Sequence, residues 1–272
     1  MRFRTHVGRP FDLRLWSNRI LFILIGVAGL AALLRWAEGA PATVFWSMAH
    51  VFVFWAIARE IDPDRELTAH LAGAVAGLWA LLGRPTPELL AAGALILATR
   101  MVLNSTGRRP LITDLVVMGL FATAIAFTRV GWIGGVALAI GIYVDGRIAE
   151  GANTASVVTA AAATIGATVV ATAARAFDVK VVTIDPTLVT LAGLTAILTI
   201  LRAPPDPWSL VDSRMKWRLD QSRLHGARAL LAVTTFATTI LLGPDALQAI
   251  PYIALLVLAL GSSEIERLRR RV

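Results

Sequence analysis

The residues with the clearest capacity for chemistry lie in a charged segment between two apolar runs. Four carboxylates fall within seven positions there: Glu60, Asp62, Asp64 and Glu66. Pro63 disfavours helix at Asp62, so we expect a turn at this point. Carboxylate oxygens grouped in a turn are typical ligands of Mg²⁺ or Ca²⁺. The segment is therefore predicted to be either a metal site that includes Asp62 and Asp64, or a solvated loop whose charges pair with one another.

A second polar segment runs from Arg100 to Asp114. Arg108 and Arg109 are adjacent and are followed by proline, and guanidinium groups bind phosphate through paired hydrogen bonds. Arg100 and Asp114 lie about one turn inside apolar sequence, where an ionisable residue is costly and suggests a function. We expect Arg100, Arg108 and Arg109 to bind the phosphate of a substrate, unless Arg100 and Asp114 pair with each other.

The third polar segment, residues 143–154, supplies Asp145 and Glu150. Together with Asp62 and Asp64, they are the predicted metal ligands. Two acidic turns that face each other across a helix bundle can hold cations, which would neutralise a diphosphate.

The elements that must position these segments are apolar helices. The 272-residue chain is 57% hydrophobic and 16% charged, with a mean hydropathy of +0.70. In soluble domains, by comparison, about a quarter of the residues are charged. We therefore predict an all-α, polytopic transmembrane helix bundle that forms a single integral membrane domain over residues 1–272. About ten spans are expected, although three are short enough that the count could be nine: 20–35, 42–58, 68–83, 87–104, 111–128, 130–144, 154–176, 186–202, 227–243 and 247–262.

The distribution of basic residues predicts the orientation of the bundle. Alternate connections carry most of the Lys and Arg, including both terminal segments, whereas the opposite connections carry few. Cytoplasmic loops are enriched in these residues, so both termini and all three polar segments are expected in the cytosol, with the protein in the plasma (inner) membrane. The net charge of +8 reflects the Lys and Arg of the cytosolic connections, which set the topology. We therefore expect the protein to contact the lipid bilayer and not nucleic acid.

Two pairs of glycines predict close packing between helices. Gly73 and Gly77, like Gly131 and Gly135, have the Gly-x-x-x-Gly spacing of close helix contacts, which we assign to packing within the bundle.

Residues 204–225 combine Asp206-Pro207, a pattern typical of a helix start, with apolar and basic residues at helical spacing. They are predicted to form an interfacial amphipathic helix on the cytosolic surface, with a plain connecting loop as the alternative.

The layout of the polar segments resembles that of the UbiA-type membrane prenyltransferases. Asp145, Glu150, Gly151 and Thr154 are similar to the second acidic motif of that family, although Ala149 precedes Glu150 and a second Asp is missing. The first motif is not matched, because Asp62-Pro63-Asp64 is more tightly spaced than the family's aspartates. The resemblance implies two cytosolic acidic loops that bind Mg²⁺ and a prenyl diphosphate, with the prenyl tail inside the bundle.

The sequence thus leaves three functions open. The first is a membrane-embedded, divalent-metal-dependent enzyme that acts on a lipid or prenyl phosphate at the cytosolic face. The second is a secondary transporter with a five-plus-five inverted repeat, suggested by Ile61-Asp62-Pro63 and Ile184-Asp185-Pro186. The third is a structural membrane subunit without a site of its own. His50, near the middle of the second span, is expected either to bond to a neighbouring group or to relay protons.

Overall fold

The computed structural model describes residues 13–35, 41–84, 86–107, 110–148, 154–174, 185–211 and 214–269. Over these residues the chain is helical apart from one short hairpin, which confirms the predicted helical class. The α-helices are α1 Trp16–Arg35, α2 Pro41–Ile61, α3 Glu66–Leu81, α4 Leu89–Leu103, α5 Ile112–Ala124, α6 Arg129–Ile148, α7 Thr154–Ala173, α8 Pro186–Leu201, α9 Gln221–Leu242 and α10 Ile250–Arg269.

Five helical segments in the described residues are long and apolar enough to cross a membrane: Trp16–Arg35, Ala42–Ile61, Thr154–Ala173, Gln221–Leu242 and Ala246–Arg269. Four other apolar helical segments are shorter: Glu66–Leu81, Leu89–Leu103, Ile112–Phe127 and Pro186–Leu201. Large apolar side chains remain exposed along these helices, for example Leu34 at 74% and Val117 at 65%. Such an apolar exterior is consistent with a membrane protein.

Two helices organise the bundle. The first, α2, packs against α1, α3, α4, α9 and α10, and the second, α6, packs against α4, α5, α7 and α9. Because α4 and α9 contact both α2 and α6, they join the two groups of helices. The side chains buried between them are mainly alanine, leucine and isoleucine, and the small side chains allow close helix packing.

Glycines allow α6 to approach its neighbours closely, and both predicted Gly-x-x-x-Gly pairs contact other parts of the same chain. A Cβ added at Gly135 would collide with the carbonyl oxygen of Ala122 on α5, and one at Gly141 would lie 2.8 Å from the carbonyl oxygen of Ala98 on α4. A Cβ at Gly73 would lie 3.0 Å from the carbonyl oxygen of Val51. The assignment of these glycines to packing within the bundle is confirmed.

The predicted interfacial helix over residues 204–225 is wrong. Strand β1, Leu210–Val211, pairs antiparallel with strand β2, Arg214–Arg218, and α9 begins only at Gln221. The residue that caps α9 is Asp220, whose carboxylate accepts the backbone N–H of Arg223 at 2.8 Å. Three prolines before the hairpin explain the difference, since proline has no N–H with which to continue a helix: Pro204, Pro205 and Pro207.

The helix packing does not follow a five-plus-five repeat. Such a repeat would make α7 and α8 the counterparts of α2 and α3, which pack together extensively. In the described part of the chain, α7 packs mainly against α5 and α6, and α8 mainly against α9 and α10. The two Asp-Pro pairs also differ, because Asp185 caps α8 through the N–H groups of Thr187 and Leu188, whereas Asp62 lies beyond the end of α2.

Candidate functional site

Most of the described polar contacts between helices occur at one end of the bundle, where α2, α4, α6, α8 and α10 end and α3 and α9 begin. We call this region the polar end. Contacts there join α2 to α9 and α10, α4 to α2, and α6 to α9. The three polar segments singled out from the sequence therefore reach the same end of the bundle where the structure describes them.

Asp62 is the centre of the polar end and is only 1% exposed. One carboxylate oxygen, Oδ1, accepts hydrogen bonds from Arg65 at 2.8 Å and from Arg228 at 3.2 Å. The other, Oδ2, accepts from the hydroxyls of Thr68 at 2.7 Å and Ser262 at 2.6 Å. We refer to these five residues as the Asp62 cluster. It joins α2, α3, α9 and α10 through one carboxylate.

Arg228 is almost as buried as Asp62, with 2% of the residue exposed. Its Nε donates to the carbonyl oxygen of Ile61 at 2.6 Å, and one of its terminal nitrogens donates to the hydroxyl of Ser263 at 2.8 Å. The carbonyl of Ile61 lies at the end of α2, where helical carbonyls lack partners within the helix. Arg228 therefore neutralises Asp62 and also completes the hydrogen bonding of the helix end.

The local sequence explains why Asp62 occupies this position. Pro63 disfavours helix at the residue before it, so α2 ends at Ile61 and α3 begins at Glu66. The turn between them is closed by a hydrogen bond from the N–H of Arg65 to the carbonyl of Asp62 at 3.2 Å. The predicted turn at Asp62 is confirmed.

Asp64 tethers the segment that leads into the hairpin. Its carboxylate accepts the backbone N–H groups of Trp208 at 3.0 Å and Ser209 at 2.8 Å, and also the hydroxyl of Ser209. These contacts hold the connection between α8 and α9 against the turn that follows α2. Asp64 thus fixes a part of the chain that is far away in sequence.

Two further ion pairs lie where α4 and α6 end. Arg100 donates from two nitrogens to Oε1 of Glu60, at 2.9 and 2.8 Å, and Glu60 is 1% exposed. Arg223 lies 3.6 Å from Oδ1 of Asp145 and donates to the carbonyl of Val102 at 3.3 Å. The carboxylate of Asp114, considered from the sequence as a partner for Arg100, accepts the N–H of Leu111 at the start of α5.

The contacts of Asp62 do not suit the predicted metal site. A carboxylate offers about four lone-pair positions, and the Asp62 cluster supplies four donors. Asp64 accepts three hydrogen bonds, and Asp145 faces Arg223. Within the described ranges, no group of three or more His, Asp or Glu side chains is arranged to hold a metal ion. Glu150 lies outside the described residues, so a Mg²⁺ site that includes Asp145 and Glu150 stays a prediction.

The predicted phosphate-binding residues are only partly described. Arg100 is bound to Glu60, whereas Arg108 and Arg109 lie outside the described residues. A few residues before them lie Asn104, which ends α4 in the left-handed conformation with φ of 50°, and Ser105, which is fully buried. In the structure, Oδ1 of Asn104 and Oγ of Ser105 have no hydrogen-bond partner.

A similar buried group lies at the start of α9. Nδ1 of His225 is buried and has no hydrogen-bond partner, and His225 follows Arg223 by two positions. The first turns of α9 pack against the end of α4, where a Cβ added at Gly226 would lie 3.3 Å from Val102 and Leu224 belongs to the same apolar cluster as Val102. We call this region, with Asn104, Ser105, Arg223 and His225, the α4–α9 corner.

Sequence reasoning missed Arg228 as a functional neighbour of Asp62. Arg228 closes a stretch from residue 202 to residue 228 that is rich in Arg, and in the sequence such a stretch is explained by topology alone. One signal could have separated it: Asp220 marks the start of α9, which places Arg228 two turns inside the helix, at the start of its apolar run. A cation at that depth needs an anion from another element.

Comparisons with known proteins add no family assignment. The sequence matches no protein-family model, and no similar curated protein or solved structure was found.

Proposed function

We propose that the protein crosses the plasma (inner) membrane about ten times, with both termini in the cytosol. The described helices run back and forth, so that even-numbered helices end at the polar end and odd-numbered helices begin there. This end carries the connections that are rich in Lys and Arg, which favours its placement in the cytosol. The short helices would cross beside longer neighbours or where the bilayer is thin.

Introduced cysteines test this orientation without background labelling of native cysteines, since the chain has none. Glu66→Cys lies at the polar end and Arg84→Cys in the connection after α3, and both native residues are exposed. In intact cells, an impermeant maleimide should label residue 84 and reach residue 66 only after the membrane is opened. The reverse pattern would contradict the proposed orientation.

We further propose that the protein is a membrane-embedded enzyme that binds a lipid or prenyl phosphate at the polar end. The observation that supports this most directly is the α4–α9 corner. Buried polar atoms without a partner cost free energy, and two of those at this corner can donate to an anion: the Ser105 hydroxyl, which precedes Arg108 by three residues, and the His225 imidazole. A phosphate accepts hydrogen bonds from a serine hydroxyl, an imidazole N–H and guanidinium groups.

The phosphate of the substrate would bind at the α4–α9 corner, and the apolar tail of the substrate would lie along the helices. Arg108 and Arg109 would supply the charge, and Ser105 a hydroxyl. Mg²⁺ at Asp145 and Glu150 remains an expectation from the acidic segments of the sequence, and phosphate binding by the α4–α9 corner does not depend on it. The catalytic residues and the bond that is broken are left unassigned.

Ser105→Ala gives the sharpest test of this proposal. The Ser105 hydroxyl has no partner to lose, so the unliganded protein should melt at the same temperature or slightly higher. Binding of farnesyl diphosphate in detergent micelles should weaken by about ten- to a hundredfold, because a hydrogen bond to a charged group contributes about 1.5–3 kcal/mol. The measurement is the ligand-induced shift in melting temperature.

Replacing Arg108 and Arg109 together by glutamine should weaken this binding further. The matched control is Arg35→Gln with Arg84→Gln, which removes the same charge at the opposite end of the bundle. Two results together would contradict the proposed phosphate site. Ser105→Ala would leave the binding of farnesyl diphosphate unchanged, and the two double variants would weaken it equally. A lipid phosphate such as phosphatidic acid, tested in the same way, distinguishes the prenyl from the glycerolipid substrate.

The secondary transporter remains the alternative function. It is favoured by one observation, the interior polar contacts of His50, because transporters bind substrates and ions near the middle of the membrane. The two ring nitrogens of His50 lie 2.6 and 2.9 Å from the carbonyl oxygens of Trp46 and Pro87, respectively. The helix packing does not follow the five-plus-five repeat on which that alternative was based. A structural subunit without a site is the third possibility, and it predicts that none of the variants above changes ligand binding.

A further inference from the structure

Arg223 joins the α4–α9 corner to α6. It is the third residue of α9, and its side chain is 13% exposed. Its Nη1 lies 3.6 Å from Oδ1 of Asp145 on α6, and the same nitrogen donates to the carbonyl oxygen of Val102 at 3.3 Å. Val102 precedes Ser105, whose buried hydroxyl belongs to the corner, by three residues. The guanidinium of Arg223 therefore lies where α4, α6 and α9 meet.

The side-chain contacts of Arg223 are longer than those of two other arginines at the polar end. Strong charge-assisted hydrogen bonds measure about 2.7–2.9 Å. Arg100 donates to Glu60 at 2.9 and 2.8 Å through two nitrogens, and Arg228 donates to Asp62 and to two further acceptors. Arg223 uses one nitrogen for both of its contacts, and within the described residues its Nε and Nη2 make no hydrogen bond. Of the three arginines, Arg223 is the one that can change partner at the lowest cost.

The position of Arg223 in α9 favours a negatively charged ligand beside it. A cation in the first turn of a helix lies at the positive end of the macrodipole, where anions are stabilised. A phosphate carries more negative charge than one carboxylate, and a guanidinium binds it through two parallel hydrogen bonds. A phosphate that accepts the Ser105 hydroxyl would therefore compete with Asp145 for Arg223.

We infer that Arg223 exchanges Asp145 for the phosphate of the ligand, so that binding at the α4–α9 corner breaks the ion pair between α9 and α6. The inference rests on the phosphate site proposed above and adds a regulatory step to it. In the unliganded protein, Asp145 holds Arg223 and weakens the affinity for phosphate. In the liganded protein, Arg223 and Ser105 bind the same phosphate, and the contact between α6 and α9 is changed.

The sign of the effect of Asp145→Asn on ligand affinity tests the exchange. This variant removes the competing charge, so farnesyl diphosphate should bind about fivefold more tightly, the factor that corresponds to an ion pair of about 1 kcal/mol. Arg223→Gln should weaken the binding by about tenfold. If Asp145 only held Arg223 in a binding position, Asp145→Asn would weaken the binding instead. The measurement is the dissociation constant in detergent micelles without Mg²⁺, below the melting temperature of every variant.

A double-mutant cycle separates the exchange from a general effect of charge on anion binding. If Asp145 acts through Arg223, Asp145→Asn should have no effect in the Arg223→Gln background. Glu66→Gln removes an exposed carboxylate at the polar end and should leave the affinity unchanged in both backgrounds. The inference would be overturned if Asp145→Asn failed to tighten the binding, or if it tightened the binding equally with and without Arg223.

The same measurements distinguish failure of the exchange from failure of the proposed function. If Ser105→Ala weakens the binding of farnesyl diphosphate while Asp145→Asn does not strengthen it, the phosphate site is supported and the exchange is wrong. If the wild-type protein binds neither farnesyl diphosphate nor phosphatidic acid, both proposals are wrong.

Discussion

Replacing Asp62 by alanine is expected to lower the free energy of unfolding by about 3–5 kcal/mol, because it leaves Arg228 as a buried cation without its anion. The four donors of the Asp62 cluster would also lose their shared acceptor. The melting temperature in detergent should fall accordingly. Glu66→Ala is the control, since the Glu66 side chain is 51% exposed and lies 3.9 Å from Arg59. Such an exposed pair contributes less than about 1 kcal/mol.

A double variant separates the loss of charge from the loss of packing. Asp62→Leu combined with Arg228→Met replaces the buried ion pair by apolar groups, a change that is often neutral or stabilising when the packing is good. It should therefore be more stable than Asp62→Leu alone. If Asp62→Ala melts like Glu66→Ala, the Asp62 cluster does not hold the helices together.

The same position distinguishes a structural carboxylate from a metal ligand. Asp62→Asn should lower the melting temperature by a similar amount with and without Mg²⁺, since its contacts are with protein donors. Asp145→Asn removes the partner of Arg223 and should therefore lower the melting temperature without Mg²⁺ as well, but if the predicted Asp145–Glu150 site binds the ion, the loss should be larger with Mg²⁺ than without it.

Gly141→Ala and Gly135→Ala are expected to give the second large loss of stability. Each added methyl group would meet backbone atoms, of Ala98 on α4 and of Ala122 on α5 respectively. A backbone carbonyl cannot rotate away as a side chain can, so the helices must separate. Overpacking of this kind costs about 1–3 kcal/mol.

Gly93→Ala provides a matched control on α4, because a Cβ at Gly93 would have nothing within 4 Å. It should leave the melting temperature unchanged or raise it slightly, since alanine favours helix more than glycine does. Equal effects at positions 93, 135 and 141 would show that helix propensity, and not close packing, determines the result.

The helices and their small-residue contacts could be predicted because both depend on local sequence. Runs of apolar residues and the spacing of Gly131 and Gly135 are visible without knowledge of which helices meet. The partners of the charges could not be predicted in this way. Asp62 and Arg228 are separated by 166 positions, and only the packing of α9 against α2 brings them together.

Two nearly identical motifs illustrate the same limit. Asp62-Pro63 and Asp185-Pro186 look alike, yet Asp185 caps α8 with its own neighbouring N–H groups, and Asp62 binds donors from three other helices. The residues after the aspartate do not reveal this difference. The hairpin is hard to predict for a related reason, because Trp208, Val211 and Met215 also fit a helical repeat, and the prolines before them are the local signal against a helix.

The short helix α4 has a consequence for the surrounding lipid. Its 15 residues extend about 22 Å, whereas a typical hydrocarbon core is about 30 Å thick. In the proposed orientation, Pro87 and Glu88 at the start of α4 would therefore lie below the outer headgroups. Backbone groups at that depth must be shielded from acyl chains by protein or water. Because α2, α6 and α9 pack around α4, these neighbours supply that shielding and keep acyl chains away from its short end, so α4 can cross without thinning the bilayer beside it.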